Sequence, residues 1–103
     1  MTPAVLHILL SLATEDRHGL GIAADVKAFT GGRLVLGPGT LYGTIKRLLE
    51  AALIEDLGSP SPEDDDPRRR YYRITPKGRQ ALEAEAEGMA AVLSVAKRRL
   101  KTS

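Results

Sequence analysis

The sequence predicts a mostly α-helical chain carrying one small β-hairpin, and three observations lead to that class. Proline stands at the start of three stretches with helical apolar spacing, after Thr2, Gly37 and Thr75. Short, strand-like runs are confined to residues 53–57 and 69–75, separated by a polar, proline-rich segment. The 103 residues are 43% hydrophobic with no cysteine, which suits one small core without a disulfide scaffold.

The first helix is expected from Thr2-Pro3 to about Thr14. His7, Ser11 and Thr14 or Glu15 form a narrow polar seam, and apolar residues cover the rest, so this helix should be contacted from more than one side. A second helix is expected from about Gly19 to Thr30, with Ile22, Ala23, Val26 and Phe29 on one face and Gly31-Gly32 as its stop. The third gives the cleanest pattern: Leu41, Ile45, Leu48, Leu49 and Ala52 fall on one stripe. A rotation of about 100° per residue then puts Gly39, Thr40, Gly43, Lys46, Arg47 and Glu50 on the opposite face, with Tyr42 at the boundary. After the hairpin, Thr75-Pro76 opens a last helix in which Leu82, Ala86, Met89, Leu93, Ala96 and Leu100 alternate by four and three residues, the row of a helix that packs along another helix.

Charge is unevenly distributed. Overall 15 Lys and Arg stand against 13 Asp and Glu, a formal +2. Arg68, Arg69, Arg70, Arg73, Lys77 and Arg79 nevertheless form a basic cluster directly after the acidic run Glu63, Asp64, Asp65 and Asp66. Two readings stand: a polyanion partner, or a solvated hairpin whose arginines pair with the aspartates.

Several function classes are excluded. Thiol catalysis and thiolate zinc sites need cysteine. His7 and His18 have no ligand partner at metal spacing, so no metal or cofactor is expected. No Ser-His-Asp arrangement or phosphate-cradling glycine motif is readable, and the chain is not expected to be an enzyme. The apolar run Val5–Ala13, broken by His7 and Ser11, falls far short of the roughly 20 residues a membrane span needs. A cytoplasmic protein without a membrane partner is the expectation.

Helix, helix, Gly-rich turn, helix, hairpin is the order of a winged helix-turn-helix, whose third helix enters the major groove while the hairpin, or wing, touches flanking backbone. The third helix suits that role. Its apolar stripe fixes it on the domain, and its outer face offers small, hydroxyl and basic groups to bases and phosphates. Two glycines on an exposed helix face cost about 1 kcal/mol each relative to alanine, so they point to close approach of another surface.

The chain resembles the PadR-like transcriptional regulators. The resemblance rests on residues 8–13 (ILLSLA), His18-Gly19-Leu20-Gly21-Ile22, residues 36–49 (LGPGTLYGTIKRLL), Leu53-Ile54-Glu55 and residues 69–78 (RRYYRITPKG). It implies a cytoplasmic homodimer that binds double-stranded DNA, usually as a repressor, with a winged helix-turn-helix head over residues 1–75 and a dimerisation helix over 76–103. By position, Thr40, Tyr42 and Lys46 resemble recognition-helix contacts, and Arg68, Arg69 and Arg70 resemble wing contacts. Gly39, Gly43, Thr44 and Arg47 complete the expected DNA-binding set. Tyr42 has a second reading, its ring packed on the second helix with only the hydroxyl exposed. The expected dimer interface comprises Leu6, Leu9 and Leu10 with Leu82, Ala86, Met89, Leu93, Ala96 and Leu100. A small-molecule effector is left open. Relatives that take flat hydrophobic drugs stack them on aromatics at the dimer interface, whereas this chain has no Trp and only Phe29, Tyr42, Tyr71 and Tyr72. A rival class is a dimeric winged-helix module that binds protein and not DNA.

Overall fold

A computed structural model describes residues 1–60 and 69–101. The chain runs α1 (Pro3–Leu12), β1 (Arg17–His18), α2 (Gly19–Phe29), α3 (Pro38–Glu50), β2 (Ile54–Gly58), β3 (Tyr71–Ile74) and α4 (Pro76–Lys101). The three strands form an antiparallel sheet in the order β1-β3-β2. A register shift between Asp56 and Gly58 bends β2 opposite Tyr71 and Tyr72.

Each helix start follows from local chemistry. Thr2 stays extended and its Oγ1 accepts the Val5 N–H at 3.2 Å. His18 caps α2: its Nδ1 accepts the Gly21 N–H at 2.9 Å, and its ring meets Tyr71 edge-on with centroids 5.4 Å apart. Thr75 caps α4 by accepting the Gly78 N–H at 3.0 Å, while the same hydroxyl donates to the Ala52 carbonyl at 2.7 Å.

The core draws on every helix. Ile8, Leu9 and Leu12 of α1 meet Ile22 and Val26 of α2, Leu41, Ile45 and Leu48 of α3, Ile54, Tyr72 and Ile74 of the sheet, and Leu82 of α4. Tyr72 is 4% exposed, and burial, assisted by the Asp56 carboxylate, pushes its phenol above the usual range. Past Leu82, α4 buries nothing and projects from the head, which gives the molecule extents of 61 × 28 × 21 Å. Among the described residues no helix is long and apolar enough to cross a membrane, and no three His, Asp or Glu side chains converge as a metal site would require.

Several expectations are corrected. α1 stops at Leu12 instead of about Thr14, because Arg17 Nε takes the Ser11 carbonyl at 3.0 Å and Arg79 takes that of Ala13 at 3.0 Å. Strand β1 was not expected; two residues are too few to show alternation, and pairing with Tyr71 and Tyr72 creates it. Phe29 leaves the core face of α2, because the helix ends there. It is 47% exposed and lies flat on His7, with ring centroids 5.8 Å apart and planes 5° from parallel. Leu9 and Leu82, expected at a dimer interface, lie in the head's own core, since α1 is wedged between the other helices and α4 enters beneath it. Leu10, by contrast, is exposed, and Leu6 is half-buried at the core edge.

The junction between α3 and α4 yields a stability test. Ala52 takes φ +58°, and the Leu53 and Ala52 N–H groups bond back to Leu48 and Leu49, a left-handed helix end that favours glycine. A methyl group at Gly78 would overlap the Leu53 carbonyl oxygen, a backbone atom with no freedom to yield. Gly78→Ala should therefore destabilise by about 1–3 kcal/mol, and Ala52→Gly should stabilise by about 0.5–1 kcal/mol once the entropy of the unfolded chain is counted. Thermal unfolding checks both. An unchanged midpoint for Gly78→Ala would contradict this packing.

Candidate nucleic-acid interface

The candidate surface is built on α3, and two turns set its attitude. Gly31 and Gly32, at φ +62° and +80°, turn the chain out of α2. Thr30 locks that turn, its hydroxyl donating to the Val26 carbonyl at 2.8 Å and accepting the Leu34 N–H at 3.1 Å. Gly37 then stays extended as the N-cap, and Pro38 begins the helix with its φ already fixed.

Along α3 the buried stripe is Leu41, Thr44, Ile45 and Leu48. Pro38, Gly39, Thr40, Gly43, Lys46, Arg47 and Glu50 are exposed. A Cβ at Gly39 or at Gly43 would meet nothing within 4 Å, so no neighbour in the fold demands glycine at either position. Lys46 has no hydrogen bond or ion pair among the described residues. Arg47 donates to Thr44 Oγ1 at 3.3 Å, which holds its guanidinium along the flank of the helix.

Two members of the expected set sit differently from their sequence reading. Thr44 is 0% exposed, because it falls between Leu41 and Leu48 on the packed side; its hydroxyl orients Arg47 and does not reach the outer face. Tyr42 packs its ring on the second helix, as its second reading has it, but its hydroxyl is not exposed. Its hydroxyl is buried, and a Cβ at Gly19 would lie 2.8 Å from both that oxygen and ring Cε1. The start of α2 thus sits directly on the Tyr42 ring, and the phenol oxygen is enclosed. Gly19 is a positioning residue that sequence reasoning took only as a helix start. The sole available signal was its place in the His18-Gly19 pair.

The wing is partly neutralised from within. Arg70 pairs with Asp56 of β2 at 3.1 Å, so its acidic partner lies across the hairpin. Arg69 is exposed. Arg68 and the run Glu63 to Asp66 lie outside the described residues. Arg73, grouped with the wing cluster by charge, instead forks onto Asp16 at 2.9 and 3.2 Å, and that carboxylate raises the guanidinium pKa further. Arg79 is likewise committed to the Ala13 carbonyl. Arg17, which sequence reasoning did not single out, braces the loop before α2 through Ser11, Glu15 and Asp25.

Comparison with known proteins places this arrangement. The sequence profile described as the transcriptional regulator PadR-like family matches residues 5–84. A transcriptional regulator of Mycobacterium tuberculosis is 40% identical over 77 residues, 75% of this chain and 66% of that one. An uncharacterized transposon protein of Streptomyces fradiae is 38% identical over 87 residues, 84% of this chain and 23% of that one. The chain therefore spans about two thirds of the first relative and under a quarter of the second. Among solved structures, a PadR family transcription regulator from Clostridium difficile superposes with a TM-score of 0.78 at 25% identity, covering 96% of this chain and 99% of that one. A transcriptional regulator from Clostridium thermocellum gives 0.76 at 26%, covering 92% and 87%. With most of its residues under one family profile and a winged helix-turn-helix head to match, the chain belongs to the transcriptional regulator PadR-like family.

Proposed function

We propose that this chain is a sequence-specific DNA-binding repressor that acts in the cytoplasm as a homodimer on an inverted-repeat operator. Residues 1–75 serve as the DNA-binding head, and residues 76–103 join two copies. The observation that carries the reading is the outer face of α3. Gly39, Thr40, Gly43 and Lys46 are exposed together, and the two glycines face open space. Glycine is costly in a helix, and a bare, basic face lets a duplex approach the backbone closely.

Within this reading Lys46 contacts phosphate, Thr40 and Arg47 reach base edges, and Arg68, Arg69 or Arg70 grip flanking backbone. Tyr42 and Thr44 act indirectly, one by seating α2 on α3 and the other by orienting Arg47. The dimer is carried by the exposed apolar row of α4 together with Leu6 and Leu10 of α1. Met89 is 52%, Leu93 55% and Leu100 75% exposed in the single chain. The pairing of Arg70 with Asp56 favours a second reading, a protein-binding module with a neutral wing, and the salt dependence of DNA binding separates the two.

Three outcomes are expected. Lys46→Ala should weaken binding to all duplexes and lower the log-log salt slope by about 0.9, and a triple alanine variant at Arg68, Arg69 and Arg70 should lower it by at least as much; unchanged slopes in both favour the protein-binding module. Footprinting should show two protected half-sites with centres about 10 bp apart, and protection of a single half-site indifferent to a central insertion of about 5 bp would overturn the inverted repeat. Leu93→Glu should convert a dimer to monomers in light scattering, since it sets a charge in the apolar row. A monomeric parent chain at micromolar concentration would remove the dimer.

A further inference from the structure

Arg70 and Asp56 meet at the corner where the wing adjoins α3. In β3 the side chains of Tyr72 and Ile74 face inward, 4% and 7% exposed. Strand alternation carries Arg70, two residues before Tyr72, to the same face. Asp56 stands opposite Tyr72 in the register, two residues after the buried Ile54. The fields of Asp56, Tyr42 and Arg70 all reach the Tyr72 phenol, so these side chains of the wing and α3 share one corner.

The two members of the pair are held unequally. Asp56 is fixed by the backbone, because its Oδ1 accepts the Gly58 N–H at 2.7 Å and closes the turn in which Gly58 takes φ +82°. Arg70 reaches it through a single nitrogen, Nη1, which donates to Oδ2 at 3.1 Å. Its Nε and Nη2 have no partner among the described residues, unlike those of Arg73, which fork onto Asp16. With the Arg70 side chain 39% and the Asp56 side chain 32% exposed, the pair is open to solvent and readily exchanged.

An anionic oxygen at hydrogen-bond distance from a guanidinium is also what a DNA phosphate supplies. From this geometry we infer that Asp56 is an internal competitor for Arg70: its carboxylate stands in for a backbone phosphate in the free protein, and DNA binding exchanges one for the other. This rests on the DNA-binding reading and deepens it by naming a residue that sets affinity for the phosphate backbone. The turn at Gly58 keeps the carboxylate in place while the arginine moves, so after the exchange Asp56 faces the phosphate as a bare like charge. Two effects then oppose binding, the lost ion pair and the repulsion between acid and phosphate. Neither reads bases, so both act on every duplex alike.

A double-mutant cycle tests the exchange. Full-length parent, Asp56→Asn, Arg70→Ala and the double variant are titrated at low salt onto a mixed-sequence duplex of about three helical turns, with fluorescence anisotropy as the readout. Asparagine keeps an oxygen for the Gly58 N–H, so the thermal midpoint of Asp56→Asn should match that of the parent. Asp56→Asn should tighten binding about tenfold with Arg70 present and only about threefold beside Arg70→Ala, where repulsion alone is relieved. The excess is the share that competition for Arg70 contributes. Equal gains in the two backgrounds would make Asp56 a nearby charge only and overturn the inference. Looser binding by Asp56→Asn would overturn it too, since the acid would then be orienting Arg70 toward phosphate. A parent chain and variants that all ignore the duplex would instead remove the DNA-binding reading, and this inference with it.

Discussion

The geometry of the head depends on how α3 is brought to an end. Three successive carbonyls leave that helix, and the start of α4 takes all three. Lys77 Nζ donates to the Ala51 carbonyl at 2.9 Å, the Thr75 hydroxyl donates to that of Ala52 at 2.7 Å, and the Thr75 N–H donates to that of Leu53 at 3.1 Å. Gly78 rests against the same Leu53 carbonyl, closer than any side chain would permit. Helix ends carry unsatisfied carbonyls that must be paired when they are enclosed. Here the pairing also joins α3, the wing and α4 in one turn, so the attitude of the exposed α3 face relative to α4 is fixed by one backbone and two side-chain hydrogen bonds to these carbonyls and by a missing Cβ.

A second brace works from the other end of α3. Gly19 lets the start of α2 settle on the Tyr42 ring, and His18 both caps that helix and abuts Tyr71 of the sheet. Arg17 and Arg73 hold the intervening loop through Glu15, Asp25 and Asp16. These ion pairs are largely at the surface, where such contacts contribute little to stability, so their effect is to orient the loop. The two histidines illustrate how local context chooses a role. His7 donates from Nδ1 to the Pro3 carbonyl at 2.6 Å, whereas His18 accepts at the same atom.

Joined in this way, the head leaves the longest exposed apolar row of the described residues on the far part of α4, and Leu10 of α1 is exposed as well. Exposed leucines there contrast with an α3 face that is exposed yet polar and small. The first calls for apolar burial, and the second suits a hydrated, charged partner. The basic residues divide accordingly. Arg73 and Arg79 are engaged within the fold, Arg70 pairs with Asp56 across the hairpin, Lys97 and Arg99 flank the α4 row, and Lys46 is exposed on α3.

The sequence by itself determined the helices with sustained periodicity, their proline-marked starts, the polar face of α3 and the heptad row of α4. Those features are local, because side-chain spacing along one helix already states which face is apolar. It also carried the family resemblance that the profile match bears out. What only the tertiary structure decided depends on contacts distant in sequence. Strand β1 exists because Tyr71 and Tyr72 arrive from more than 50 residues away to pair with it. Leu9 and Leu82 look identical in pattern to interface leucines, and only the wedging of α1 among the helices assigns them to the core. Thr44 and Tyr42 stand near the edge of the α3 stripe, where a rotation of a few tens of degrees moves a side chain from solvent to core. That rotation is set by the turns at both ends of the helix, which no periodicity within it records.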